Sequence, residues 1–422
     1  MALKNFRAPC RALLAGGLMA ALAVAAGADE WQARSNDAFA VAVYGDAPYG
    51  CKAGSTPAPD VCPSGYSPDT PNGPIPGDSR QLDATPAFIA AVNRDNSVDF
   101  VLHAGDIHSG SNFCTLAYDQ RVFDLWTQFK RPLIYTPGDN EWTDCQKSKE
   151  GGGAKNSKGE YVDYAAGHPV ANLALVRSIF FAQPGMSLGA HPRRVVSQAE
   201  AFDPMHPSDA EYVENVMWDK SRVMFVTMNI PGGSNNDDDL WNTAAFGATR
   251  SAPQIQEVAN RTGADLRWLG AAFAQAKANG DKAVVIMEQA DMWDLDGTAL
   301  ADGHIANYRP FIDEIAAQAK AFNGSVLLIN GDSHKFRSDN PFIAGAPCMI
   351  EAGDGTTATQ GCPDDAFANQ TYAAGDVPNF HRLVVHGSTF PLEYTRLWVR
   401  ASTDNATTAS SFGPFRWERV IP

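Results

Sequence analysis

Gly138-Asp139-Asn140-Glu141 follows the short apolar run Leu133-Ile134-Tyr135, and its reading decides the fold. Working outward, Phe100-Val101-Leu102 leads to Gly105-Asp106, and Val326-Leu327-Leu328-Ile329 leads to Gly331-Asp332-Ser333-His334. A further run, Phe39-Ala40-Val41-Ala42-Val43, leads to Gly45-Asp46. Glycine lets the chain leave a strand sharply, which puts an Asp, Asn or His at the strand's C-terminal edge. Ligands of open α/β sheets gather at that edge, and carboxylate oxygens with imidazole nitrogens suit divalent metals. Taken singly, each Asp or Asn reads as a turn or helix-capping residue. The ordered set reads as a metal centre.

Between these runs the period changes. Tyr118, Val122, Leu125, Trp126 and Phe129 recur at helical spacing, which predicts a helix over Cys114–Lys130 that ends before Pro132. Helices are also expected around Pro86–Arg94 and over Val170–Phe181, Asp265–Ala278 and Tyr308–Phe322. Strands are expected over Arg222–Met228, Ala283–Met287 and Ser325–Ile329, with Leu383–Val385 and Leu397–Val399 in a second sheet. Such alternation followed by strand-rich chain predicts an α/β sandwich with mixed sheets. Gly232–Asp239 reads as a solvated turn, since it lacks the spaced Gly and terminal Glu of a calcium loop.

The first residues read as an export signal: Lys4, Arg7 and Arg11, then the apolar Leu13 to Ala26, then Ala26-Gly27-Ala28 as a cleavage site. The apolar part falls short of the roughly 20 residues a membrane span needs. Residues 1–28 are therefore expected to be removed near Ala28, leaving 29–422 as a single secreted or periplasmic domain and a monomer. Losing three positive charges takes the net charge from −15 to −18, which argues against nucleic-acid backbones and anionic lipids as partners. Six cysteines remain, and an even number in an exported chain predicts disulfides. Proximity favours Cys51–Cys62, Cys114–Cys145 and Cys348–Cys362. A thiolate zinc site would need tighter Cys/His spacing than any in the chain.

In order, the clusters resemble the calcineurin-like metallophosphoesterases, the group that includes purple acid phosphatases. That family carries Asp-x-His, Gly-Asp, Gly-Asn-His-Asp/Glu, a lone His after a strand, and Gly-His-x-His. Val101 to Asp106 is similar to the second block, Tyr135 to Trp142 to the third, and Gly331 to His334 to the last. The resemblance runs from about Phe39 to Arg337 and implies an αββα sandwich with two mixed sheets. It implies metal ligation by Asp46 and by a bridging Asp106, with His334 as the final histidine.

Asn140 is matched to the metal-binding Asn of the third block, which makes Asp139 an insertion of little consequence to the metal. Glu141 then stands in for the histidine that donates a proton to the leaving group. Pro48 replaces the first block's His, and Tyr49 or His108 is expected to fill that position. Asp332 replaces a histidine. At the lone-His position stand Glu288 and Gln289, only one of which can face the site because neighbouring strand residues point to opposite faces. Gln289 is preferred because it leaves the site less negative. His103 reads as a core or supporting residue, and Lys335 and Arg337 as solvated bases or phosphate clamps.

The implied activity is hydrolysis of phosphate esters by a metal-activated water. Oxygen-rich ligation favours two ions of Mn, Mg, Fe or Ca over Zn. The alternative is an inactive member of the fold with a binding or scaffold role.

Overall fold

A computed structural model describes residues 38–49, 80–110, 112–236, 240–241, 250–293, 304–343, 345–351, 358–360, 376–400 and 405–422. The expected export segment, the pair Cys51–Cys62 and the partner Cys362 lie outside them. Cys114 and Cys145 form a disulfide, and Cys348 is disulfide-bonded.

The chain lays down β1 (Phe39–Tyr44), α1 (Arg80–Arg94), β2 (Val98–His103), α2 (Leu116–Trp126) and β3 (Leu133–Tyr135). Next come α3 (Pro169–Phe180), β4 (Val196–Ser197), the hairpin β5 (Val216–Lys220) and β6 (Val223–Thr227), α4 (Ala252–Asn279), β7 (Ala283–Met287), α5 (His304–Ala321) and β8 (Ser325–Asn330). The remainder is strand: β9 (Arg337–Asp339), β10 (Met349–Glu351), β11 (Ala358–Gln360), β12 (Phe380–Val384), β13 (Tyr394–Val399), β14 (Asn405–Thr408), β15 (Ser411–Gly413) and β16 (Phe415–Val420). One sheet runs β14-β15-β16-β13-β1-β2-β3, and the other β11-β10-β9-β12-β8-β7-β6-β5-β4.

Alternation along the strands decides the layering. Val41 and Val43 of β1 join Phe225, Val285, Leu327 and Leu383 in a core between the sheets. Ala42 and Tyr44 face the other way, onto Leu82, Phe88, Val122 and Trp126 of α1 and α2. On the outer face of the second sheet, Val284, Ile286 and Leu328 pack against Trp268 and Leu269 of α4 and Phe311 and Ile312 of α5. The fold is thus an αββα sandwich with two mixed sheets.

Expected and observed elements differ in instructive places. The α2 helix starts where Thr115 accepts a hydrogen bond from the Tyr118 amide, a capping interaction that satisfies one free N–H. The two C-terminal runs belong to different sheets: β12 pairs with β8 and β9, whereas β13 pairs with β1 and β16. Gly232–Asn236 is no solvated turn. Gly232, Ser234, Asn235 and Asn236 are buried, and Arg261 donates to the Asn235 side-chain oxygen and to its backbone carbonyl. A guanidinium on distant α4 could not be placed beside this segment from local sequence.

Candidate metal centre

Parallel pairing sets β1, β2 and β3 side by side in one sheet and β6, β7 and β8 side by side in the other. Asp46, Asp106 and Asp139 follow the C-terminal ends of the first three; Gln289, Asp332 and His334 follow β7 and β8. Four of these sit in the left-handed region, with φ of 49° at Asp46, 58° at Asp106, 73° at Asp332 and 64° at His334. Non-glycine residues held there cost of order 1–3 kcal/mol each and cluster where function requires them.

Two groups of ligand-type atoms result, each within 4.8 Å of one another: Asp46, Asp106 and His334, and Asp106, Asp139 and Asp332. Asp106 belongs to both. Asp46 is fully buried; its Oδ1 accepts from the Asp332 amide at 2.9 Å and lies 3.5 Å from His334 Nε2. Its Oδ2 is buried with no hydrogen-bond partner. Tyr49 lies against this first group, its hydroxyl 2.9 Å from His334 Nε2.

Asp106 is held from two sides. The Asn140 amide and side-chain Nδ2 donate to its two oxygens at 3.2 and 3.1 Å, and Gln289 Nε2 donates to its Oδ2 at 3.1 Å. Gln289 Nε2 also reaches Asp139 Oδ1 at 2.9 Å, while Gln289 Oε1 accepts from the Gly232 amide at 2.5 Å.

Burial pushes the Asp46 and Asp106 carboxyls well above the ordinary range, and the neighbouring acids Asp139 and Glu141 add to the effect. Like charges crowded out of water in this way call for a cation among them. The buried Asp46 oxygen without a hydrogen-bond partner fits such a cation. Oxygens outnumber the single imidazole, so the donor set fits hard divalent ions best.

Asp139, expected to be an insertion, places its carboxylate in the second group, and Asn140 donates its backbone amide and side-chain nitrogen to Asp106. Glu141 is buried. Its Oε1 accepts from the Tyr135 hydroxyl at 2.5 Å and the Gly138 amide at 2.7 Å, and its Oε2 from the Ile107 amide at 3.4 Å. Those donors make it a clamp on the loop.

Glu288 is buried on the opposite side of the strand from Gln289, where its oxygens have no hydrogen-bond partner, and it does not join either group. His108 is likewise absent from both and lies beside the Cys114–Cys145 disulfide. Arg337 is buried with Nη1 3.9 Å from Asp291 Oδ2. Lys335 is half-buried.

Two supporting residues add to the frame. Asp291 went unnoticed in the sequence because no motif surrounds it. Its amide donates to Asp332 Oδ2 at 3.3 Å, Ser333 Oγ donates to its Oδ2 at 2.9 Å, and buried Arg382 donates to its Oδ1 at 2.5 Å. His103 is a core residue: Nε2–H donates to the Ala47 carbonyl at 2.6 Å and Nδ1 accepts from the Gly105 amide at 3.2 Å. Burial lowers its pKa to about 3, so it stays neutral.

No curated protein matches the sequence. The family model for calcineurin-like phosphoesterase matches residues 59–266, a span that contains Asp106, Asp139, Asn140 and Glu141. With the αββα sandwich and the paired acidic groups at its strand ends, the chain belongs to the calcineurin-like metallophosphoesterase superfamily.

Proposed function

We propose that this chain is a secreted or periplasmic, single-domain, monomeric phosphoesterase that depends on two divalent cations and hydrolyses phosphate esters. Manganese, magnesium, iron or calcium suits its oxygen-rich site better than zinc. The observation that carries the reading is the membership of Asp106 in both carboxylate groups, the arrangement a bridging ligand requires. Asp46 and His334, with Tyr49 beside them, would hold one ion; Asp139 and Asp332 would hold the other.

When bound, such ions supply a nucleophilic water at neutral pH and offset charge on the phosphoryl oxygens. The protein's own part is placement. Asn140 and Gln289 both donate to Asp106 Oδ2, and the Asn140 amide donates to its Oδ1, which fixes the carboxylate. The Asp291 amide donates to the Asp332 carboxylate, and the Asp291 carboxylate accepts from the Ser333 hydroxyl, which orients both side chains. Among the described residues, Glu141 is committed to accepting hydrogen bonds rather than to protonating a leaving group. Esters with good leaving groups are therefore the preferred substrates.

Purified protein loaded with manganese should bind about two equivalents and hydrolyse an aryl phosphate. Asp106→Asn should lose both properties together. Full metal binding or unchanged turnover in that variant would remove the bridging assignment.

A further inference from the structure

His108 is fully buried, and neither ring nitrogen makes a hydrogen bond of good geometry. Native structures rarely keep such a group without a reason. One of its ring nitrogens and the sulfurs of Cys114 and Cys145 all lie within 4.8 Å of one another. In the disulfide form neither sulfur is a thiolate, and only a thiolate binds metal well.

We propose that in the dithiol form of the chain His108, Cys114 and Cys145 hold one soft divalent cation, such as zinc or cobalt, at a site separate from the carboxylate centre. Two zinc–sulfur bonds of about 2.3 Å at a tetrahedral angle set the sulfurs roughly 3.8 Å apart. Side-chain rotation supplies that separation from Cα atoms 5.7 Å apart. Three protein donors leave a fourth position open to water or to the Asn140 carbonyl oxygen, which lies 3.4 Å from Cys114 Sγ and 3.7 Å from Cys145 Sγ.

The imidazole is already held for the purpose. The Tyr118 ring meets it edge-on with centroids 5.4 Å apart, and the Tyr118 hydroxyl is pinned to the carbonyls of Pro48 and Ile107 at 2.6 and 3.0 Å. Binding releases two protons, one from each thiol, as the ion takes two thiolates and a neutral imidazole. Exchange with an incoming disulfide consumes the same two thiols and ends the site. Metal capture and disulfide formation are thus alternative fates of one cluster. Sulfur and nitrogen donors select soft ions, whereas the acidic groups nearby select hard ones.

The full chain, folded and kept in a phosphine reductant, is titrated with cobalt(II) under excess magnesium that occupies the carboxylate centre. One cobalt equivalent should bind with a sulfur-to-cobalt charge-transfer absorbance, and the disulfide form should give none. The Cys114→Ser/Cys145→Ser double variant should lose the absorbance although the other cysteines remain. His108→Ala should weaken cobalt binding by more than the roughly 10–100-fold that loss of a mere supporting partner costs. Absorbance that survives in the double variant, or affinity unmoved by His108→Ala, overturns the assignment. A reduced chain that gives no band, whether folded or unfolded by near-ultraviolet circular dichroism, overturns it as well. Should the double variant fail to fold, His108→Ala decides, because it keeps both sulfurs.

Discussion

At the scale of single residues, the centre turns on which member of Gly138-Asp139-Asn140-Glu141 does what. Asp139→Ala should remove one of the two ions, because its carboxylate belongs to the second group alone. Asn140→Ala should cost less metal, since its backbone amide still donates to Asp106 Oδ1. Metal analysis of both variants after manganese loading tests the ordering, and a larger loss at Asn140 would return Asp139 to the status of an insertion. Glu141→Gln places an amide where three donors converge, and leaving a buried donor unsatisfied costs about 1–3 kcal/mol. The variant should therefore melt earlier. Its rates on alkyl and aryl esters should fall by similar factors, because the loop shifts without any change in leaving-group chemistry. A selective loss on alkyl esters would instead make Glu141 the proton donor.

At the scale of elements, the strand ends approach so closely that two glycines act as spacers. A Cβ at Gly138 would lie 2.0 Å from Asp106 Oδ1, and a Cβ at Gly232 would lie 2.8 Å from both Asp139 Oδ2 and Asp332 Oδ1. Overpacking of this kind costs about 1–3 kcal/mol, but its effect on metal should differ between the two sites. Gly138→Ala displaces the shared carboxylate and should lower the affinity of both ions. Gly232→Ala disturbs only the second group and should leave one ion bound. Manganese titration reads the two stoichiometries, and identical losses would argue against two distinct groups. The turn that carries Gly232 is itself strained, with left-handed Ser234, Asn235 and Asn236. Buried Arg261, paired with Glu257, holds it in place.

At the scale of the whole molecule, the centre is a trade of stability for binding. Burial raises the Asp46 and Asp106 carboxyls in the folded, metal-free chain, so the folded state binds more protons than the unfolded one. By linkage, that contribution is fully present below the ordinary carboxylate pKa of about 4 and is lost as pH rises toward the elevated folded values. Chelator-treated protein should therefore lose melting temperature from mildly acidic pH upward, and manganese should reverse the trend. At a hundred times its dissociation constant a bound ion adds about 2.7 kcal/mol. Calorimetry across pH, with and without manganese, checks this; a metal-free chain whose stability is flat or rises over that range contradicts it. Among the described residues no helix is long and apolar enough to cross a membrane.

The amino-acid sequence by itself determined the layers and the address of the centre. Apolar runs ending in Gly-Asp are local patterns, and local patterns dictate where strands stop and which side chains lie at their ends. It also determined that Cys114 and Cys145 could pair, and they do. Only the tertiary structure decided the rest, because those choices depend on distances between segments far apart in the chain. The face that Gln289 presents was settled by Asp106 and Asp139, 183 and 150 residues away. Asp139 joins the second group because Asp332, from the other sheet, lies within reach of it. Glu141 became a clamp because Tyr135 and the Gly138 and Ile107 amides were there to be bound. His108 met two sulfurs that no spacing rule would have joined to it.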